Sequence, residues 1–413
     1  MTPFELCAVL MTVVALAGWA NVKTLHLPNG VAMLLAGLAV AAALYVVQLL
    51  DPGIALARRI ADEIGRIDFG AAVTGYLLAF LLFAGAMQVD LREMRRRWLS
   101  IGALATLGVA ASIAIVGVGL WAVAAALGLG LPLGWALAFG ALIGPTDPVA
   151  VLATVRHVKL SKALTVVLQG EALFNDGVGI VAFTALVALA AGGGGGVAPS
   201  HVVLAVVVEA LGGLAFGMVL SALAIRLKGT LDDFAVEVAL TIALAMGSYA
   251  AAQALHLSGA IAVVGAGMLF GGPRARKAME GETERYLTAF WTLVDEILNA
   301  LLFLLLGVEM IAVPFQPHQF GLLAAAIPIV LLARFAVVLP WGAWYRLRHR
   351  EKGPTLILGW GGLHGALSLA LALALPAGPE RPLLLSVTYA VVAFSITVQG
   401  LTFGPLAKWI ARS

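Results

Sequence analysis

Three carboxylic acids lie deep inside long apolar stretches of this sequence: Asp147, Glu171 and Asp176. Most of the other acidic residues, of 22 in all, fall in polar stretches or near the ends of apolar ones. An ionised carboxylate is expensive in a hydrocarbon environment, so an acid at such a position indicates the binding of a cation or a proton.

Asp147 lies in the string GPTDPV, between Pro145 and Pro148. Each proline removes a backbone donor, which interrupts a helix and frees carbonyl groups such as that of Thr146. Free carbonyls beside a carboxylate are the ligands that a hard, partly dehydrated cation requires. We therefore predict a cation site at Asp147 and Thr146, in preference to a helix kink with an incidental aspartate.

Asp176 lies in the string EALFNDG beside Asn175, whose amide can ligate an ion or hydrogen-bond a carboxylate. Glu171 precedes it on the same stretch and lies roughly 140° around a helix from it, so the two acids face different partners. Arg334 is the only basic residue inside an apolar stretch, and a buried charge calls for one of opposite sign. We predict a cation and proton site at Asp176 and Asn175, and a structural ion pair between Glu171 and Arg334.

Other polar residues of the apolar stretches carry weaker signals. Histidine changes charge near neutral pH, so His364 is a candidate for a proton relay or a pH response, although a histidine that only hydrogen-bonds is the simpler interpretation. Ser368 follows His364 without an oxyanion-hole motif and does not indicate a serine protease. Five acids near the ends of their stretches are weak candidates, since water reaches such positions: Glu209, Glu237, Asp295, Glu296 and Glu309.

The composition makes the chain an integral membrane protein. It is 62% hydrophobic and 11% charged, with a mean hydropathy of +1.03, whereas a soluble domain carries about 25% charged residues. Apolar stretches of roughly 18 to 25 residues, long enough to cross a bilayer as helices, recur along the chain. We predict thirteen spans, one of them short, at residues 3–20, 30–49, 70–89, 100–127, 133–155, 163–191, 202–225, 234–255, 258–270, 289–313, 320–344, 356–376 and 383–410.

Most of the 25 Lys and Arg residues fall in alternate loops between these segments. Because basic residues stay on the cytoplasmic side, this alternation predicts an N-terminus outside and a cytoplasmic C-terminus in the cell (inner) membrane. The orientation also explains the basic pI of about 9.1, which is then no argument for a nucleic-acid partner. Cys7, the single cysteine, excludes an internal disulfide and a cysteine-based metal cage, and we expect no cofactor.

Two of the predicted segments look interrupted. Segment five carries GPTDPV, and segment twelve carries GWGGLHGALS with four glycines. Interrupted helices at comparable positions in two halves are typical of transporters with inverted repeats and a site near the midplane of the membrane. No polar stretch divides the chain, so we expect one transmembrane domain over residues 1–413.

At these motifs the chain resembles the monovalent cation:proton antiporter-1 family, the bacterial and archaeal sodium/proton antiporters related to sodium/hydrogen exchangers. The matching strings are LLFAGAMQVDL, GPTDPVAV, EALFNDG, NALLFLLLGVE and GGLHGALSLALALALP, together with Arg334. They cover most of the chain in the expected order, and the Asn-Asp pair within EALFNDG is the most specific.

The resemblance implies an all-α fold of about thirteen transmembrane helices. A transport core at about 100–191 and 320–410 would move against dimerisation helices at about 3–89 and 202–313. It also implies electroneutral exchange of sodium for protons, with Na⁺ at Asp176, Asp147 and Thr146. In two places the sequence departs from relatives: LLFAGAMQ offers no acid before Asp90, and His364 stands where an arginine is common.

Other functions remain open at this point, although their signals are weak. An intramembrane aspartyl protease would carry a GxGD signature, which this sequence lacks. A passive channel would need repeated rings of filter residues, and no such repeat is visible in the sequence. The residues do not distinguish Na⁺ from Li⁺ or K⁺, so a potassium/proton antiporter of the same fold stays an alternative. A cation and a proton that compete for the same carboxylate, at a site open to one side at a time, produce antiport.

Overall fold

The computed structural model describes residues 3–50, 77–147, 161–192, 199–228, 233–273, 275, 281–309, 316–349 and 353–412. Within these ranges every regular element is a helix. A helix satisfies its own backbone hydrogen bonds, which a lipid environment demands of any spanning segment. The start of predicted segment three and the end of segment five lie outside the described residues.

The described residues of the first half of the chain form eight helices. Segment four is a continuous helix that contains a π-helical turn at Leu104–Gly108. The helices are α1 (Pro3–Ala20), α2 (Asn29–Leu50), α3 (Leu78–Met87), α4 (Leu91–Arg96), α5 (Trp98–Ala103), α6 (Val109–Ala126), α7 (Leu133–Ile143) and α8 (Lys162–Ala191).

Those of the second half form nine more. A second π-helical turn, Ser395–Gln399, joins the last two helices into one long segment. The helices are α9 (Pro199–Lys228), α10 (Phe234–Ala254), α11 (Gly259–Phe270), α12 (Gly281–Glu309), α13 (Phe320–His349), α14 (Pro354–Trp360), α15 (Ala366–Leu373), α16 (Arg381–Phe394) and α17 (Gly400–Arg412).

Eight of the described helical segments are long and apolar enough to cross a bilayer, and four shorter apolar helices accompany them. The long ones correspond to predicted segments one, four, six, seven, eight, ten, eleven and thirteen, and the short ones to segments two, three, five and nine. Segment twelve is divided between α14 and α15. An all-helical membrane protein is therefore confirmed, while the count of thirteen crossings stays a prediction.

The helices pack in two groups. Segments four to six pack on one another and meet α13, which in turn packs on α14 and α16. In the other group, α11 packs between α9, α10 and α3, while α2 packs along α12. Large apolar side chains remain exposed on the outer surface, as expected where lipid is the solvent; examples are Leu107, Leu204, Leu332, Leu339 and Trp409.

Candidate cation-binding site

The stretch that follows α7 crosses the gap between α14 and α15. The helix α7 ends at Ile143, and α14 and α15 are separated by an extended stretch around Leu363. At the crossing the Asp147 backbone N–H donates to the Leu363 carbonyl oxygen at 2.6 Å. Proline and glycine disfavour a helix in these two stretches, so their backbone groups hydrogen-bond to each other instead of within a helix.

The Asp147 side chain lies against Gly365, at the start of α15. A Cβ atom at Gly365 would lie 2.9 Å from Asp147 Cβ, so no larger residue fits there without a shift. The first N–H groups of a helix lack intrahelical partners and carry partial positive charge. The Asp147 carboxylate therefore lies at the N-terminal end of α15.

Thr146 and Asn175 bind each other. Asn175 Nδ2 donates to Thr146 Oγ1 at 2.9 Å, and the Thr146 N–H approaches Asn175 Oδ1 at 3.5 Å. Both residues are buried. Asn175 does not line the main cavity described below. Its amide thus holds the GPTDPV stretch against α8 instead of pointing at Asp176.

Asp147 and Asp176 line the same cavity, which has a volume of about 340 Å³. Thr146 lines it too, so three of the residues predicted for the cation site meet there. The helix α12 also lines the cavity and adds Asp295 and Glu296. No Lys or Arg is among the described residues that line this cavity. Four carboxylates therefore face one space without a basic side chain in its lining.

Glu171 points away from this cavity, toward Arg334 on α13. The Arg334 guanidinium meets the carboxylate with both terminal nitrogens: Nη1 binds Oε1, and Nη2 donates to Oε2 at 3.0 Å. Arg334 Nε and Nη2 also donate to the Leu358 carbonyl oxygen, at 3.1 and 3.0 Å. Such a carbonyl in the last turn of α14 has no intrahelical donor. The pair thus connects segments six, eleven and twelve.

His364 lies in the break of segment twelve and is buried. Its Nδ1 is 3.2 Å from the Pro145 carbonyl oxygen, and its backbone N–H donates to Ser395 Oγ at 2.8 Å. A carbonyl oxygen only accepts, so Nδ1 carries a proton in this contact. The histidine thereby holds the break of segment five to that of segment twelve, and it does not line the main cavity.

The acids at the ends of segments have varied partners. Glu237 Oε2 lies 3.2 Å from Lys228 Nζ in a buried pair, and Tyr389 donates to Glu309 Oε2 at 3.0 Å. Asp90 Oδ2 lies 2.6 Å from Lys162 Nζ, and this hydrogen bond lowers the pKa of the Asp90 carboxyl. Asp90 is not among the residues that line the main cavity.

The polar wall of α12 is the part of the site that sequence reasoning undervalued. Asn299 Nδ2 donates to Asp295 Oδ1 at 3.0 Å, and both residues line the cavity with Thr292 and Glu296. The signal was present in the sequence, because these residues recur at spacings of three and four, which places them on one face of a helix. Within the described ranges, no cluster of three His, Cys, Asp or Glu side chains could hold a metal ion.

An all-helical membrane fold with four acidic residues around one cavity is typical of a secondary transporter. Residues 10–409 match the family model described as sodium/hydrogen exchanger, transmembrane. The chain belongs to this sodium/hydrogen exchanger family.

Individual relatives agree with the family model. The Na(+)/H(+) antiporter NhaP of Pseudomonas aeruginosa is 38% identical over 412 residues, covering 98% of this chain and 96% of the relative. The Na(+)/H(+) antiporter NhaH of Halobacillus dabanensis is 35% identical over 415 residues, with the same shares of 98% and 96%. The sodium proton antiporter MjNhaP1 of Methanocaldococcus jannaschii shares the fold, with a TM-score of 0.75 at 18% identity over 100% of this chain and 99% of that one.

Proposed function

We propose that this chain exchanges one Na⁺ for one H⁺ across the cell membrane, with Asp176 as the group that holds either ion and Asp147 as a second carboxylate of the cation site. The observation that carries this proposal is the cavity into which both carboxylates face. A cation and a proton neutralise the same carboxylate, so each displaces the other. Exchange follows if the cavity opens alternately to the two sides of the membrane.

The stoichiometry rests on Asn175. An amide carries no charge, and its hydrogen bonds to Thr146 hold it outside the main cavity. Asp176 is then the only acid of the Asn-Asp pair that swaps ligands, and transport is electroneutral. Thr146 completes the site, while Glu171 and Arg334 serve as its structural ion pair.

The proposed orientation places the C-terminus in the cytoplasm and the N-terminus outside. Gln88 and Asn29, which line the cavity, lie near segment ends that the distribution of basic residues assigns to the cytoplasmic side. In this orientation the cavity faces inward. We also propose a homodimer, in which the helices of residues 3–89 and 202–313 form the static part.

The direct test uses purified protein in proteoliposomes that contain a pH-sensitive dye. Addition of Na⁺ should drive proton movement, and Asp176→Asn should abolish it while the protein still inserts. Glu209→Gln is the matched control, because Glu209 lies on α9 outside the cavity lining. Retained Na⁺-driven proton flux in Asp176→Asn would remove Asp176 from the site. Parallel additions of Li⁺ and K⁺ identify the preferred cation.

Stoichiometry is measured in the same vesicles. The exchange rate should not respond to a membrane potential clamped with valinomycin, and the KM for Na⁺ should rise at low pH with nearly constant maximal rate. A current on a solid-supported membrane would show that Asp147 also releases a proton in each cycle. Asn175→Asp, which adds a charge and removes the donor to Thr146, is the comparison.

A further inference from the structure

One hydroxyl in the cavity lining makes no hydrogen bond to the described residues. Ser368 is fully buried, and its Oγ has no hydrogen-bond partner among the described residues. The same residue lines the cavity that holds Asp147 and Asp176. Buried polar atoms in proteins are nearly always paired, so an unpaired hydroxyl next to a site calls for a ligand.

The break in segment twelve explains why this hydroxyl is unpaired. Serine and threonine within helices usually donate to the carbonyl four residues earlier, as Ser386 does to Pro382 at 2.9 Å and Thr388 to Leu384 at 2.7 Å. For Ser368 that carbonyl belongs to His364, which lies in the extended stretch before α15. The interruption thus removes the acceptor that a continuous helix would provide.

Ser368 and Asp147 are both placed at the start of α15. Asp147 packs against Gly365, the residue before the helix, and Ser368 lies in its first turn. Both residues line the cavity. An ion held by Asp147 in this cavity would therefore meet the part of the wall to which Ser368 belongs.

We propose that the Ser368 hydroxyl is a further, neutral oxygen ligand of the transported cation. The proposal rests on the function proposed above, because it assumes that Asp147 and Asp176 hold that cation. Hard monovalent cations take several oxygen ligands, and the ligand number contributes to the discrimination between ions of different size. A neutral hydroxyl adds to the coordination without changing the number of protons exchanged.

The test compares two buried serines whose hydroxyls both lack a hydrogen-bond partner within the described part of the chain. Ser221 is fully buried on α9, its Oγ has no partner among those residues, and it is not among the residues that line the cavity. In proteoliposomes, Ser368→Ala should raise the KM for Na⁺ roughly fivefold to tenfold, the size of effect expected for one neutral polar interaction. Its maximal rate should stay within about twofold of wild type. Ser221→Ala should leave both values unchanged.

Ion selectivity distinguishes a cation ligand from a residue that only packs, because a loss of packing would change the KM for Na⁺ and the KM for Li⁺ equally. Because Li⁺ is satisfied by fewer ligands than Na⁺, Ser368→Ala should raise the KM for Na⁺ more than that for Li⁺. Ser368→Cys preserves most of the side-chain volume but replaces the hard oxygen, and should behave as Ser368→Ala does. It serves as the measured variant if Ser368→Ala fails to fold.

Two outcomes would overturn the proposal: an unchanged KM for Na⁺ in Ser368→Ala or Ser368→Cys, or equal KM changes in the Ser368 and Ser221 variants. Asp176→Asn separates these outcomes from failure of the proposed function. If only the role of Ser368 is wrong, Asp176→Asn is inactive and Ser368→Ala keeps the wild-type KM. If the carboxylate site itself is wrong, Asp176→Asn continues to exchange Na⁺.

Discussion

Breaking the Glu171–Arg334 pair should destabilise the protein far more than it alters cation affinity. Both side chains are buried, and the guanidinium holds both carboxylate oxygens as well as the Leu358 carbonyl. Glu171→Gln leaves a buried guanidinium without its counter-charge, and Arg334→Ala leaves a buried carboxylate. Removal of one partner of a buried pair costs roughly 3–5 kcal/mol.

The cost is larger for Arg334→Ala than for Glu171→Gln. The arginine variant also removes the two donors to Leu358, each worth about 1 kcal/mol. The glutamine retains an oxygen that accepts one hydrogen bond from Arg334. We expect the apparent unfolding midpoint in detergent to fall by roughly 5–15 °C for either variant, with the larger drop for Arg334→Ala.

A thermal unfolding assay on purified protein measures this loss, and the KM for Na⁺ in proteoliposomes measures any effect on the site. The double variant Glu171→Gln/Arg334→Ala should recover part of the lost stability, since no charge remains unpaired. Single variants that keep the wild-type midpoint while their KM changes strongly would refute the reasoning and move Glu171 into the coordination shell.

Gly362 offers an independent way to disturb the same pair. A Cβ atom there would lie 2.9 Å from Arg334 Cζ, so Gly362→Ala should displace the guanidinium and lower the unfolding midpoint. Gly102→Ala is the matched control, because nothing lies within 4 Å of its added Cβ.

Two further predictions follow from close contacts elsewhere. Gly365→Ala would press its Cβ on the Asp147 side chain and should therefore raise the KM for Na⁺, measured by transport in proteoliposomes. Gly247→Ala is the control and should keep the wild-type KM, because nothing lies within 4 Å of its added Cβ. Equal KM values in the two variants would contradict the packing argument. Glu237→Gln should lower the unfolding midpoint, because Lys228 is fully buried and would lose its counter-charge. The KM for Na⁺ should stay at the wild-type value, since neither residue is among those that line the cavity. A wild-type midpoint would show that this buried pair does not stabilise the protein.

Hydropathy and charge were sufficient to predict the all-helical membrane architecture. Lipid forces every spanning segment to be a helix of fixed minimum length, so span positions follow from local composition. The end of α7 before Asp147 has a local cause, because proline acts on its own backbone. The pairing of Glu171 with Arg334 could be predicted because Arg334 is the only basic residue inside a predicted span.

Only part of the cavity lining could be read from the sequence. Asp147, Thr146 and Asp176 were predicted to share a site, yet the amide of Asn175, which adjoins Asp176 in the chain, binds Thr146 and does not line the cavity. Asp295 and Glu296 lie on a distant segment and also line the cavity. Periodicity gives the face of a helix on which a residue lies, but not the partner that this face meets.

The sequence by itself determined the membrane environment, the helices and the acids that lipid makes costly. Those properties depend on each residue and its near neighbours, which composition and spacing express directly. Only the tertiary structure decided that Asp147 pairs with Leu363, that it packs against Gly365, and that Glu171 and Arg334 meet the Leu358 carbonyl. Such facts depend on the packing of segments far apart in the chain, where contact is set by the shape of whole helices and leaves no local signal.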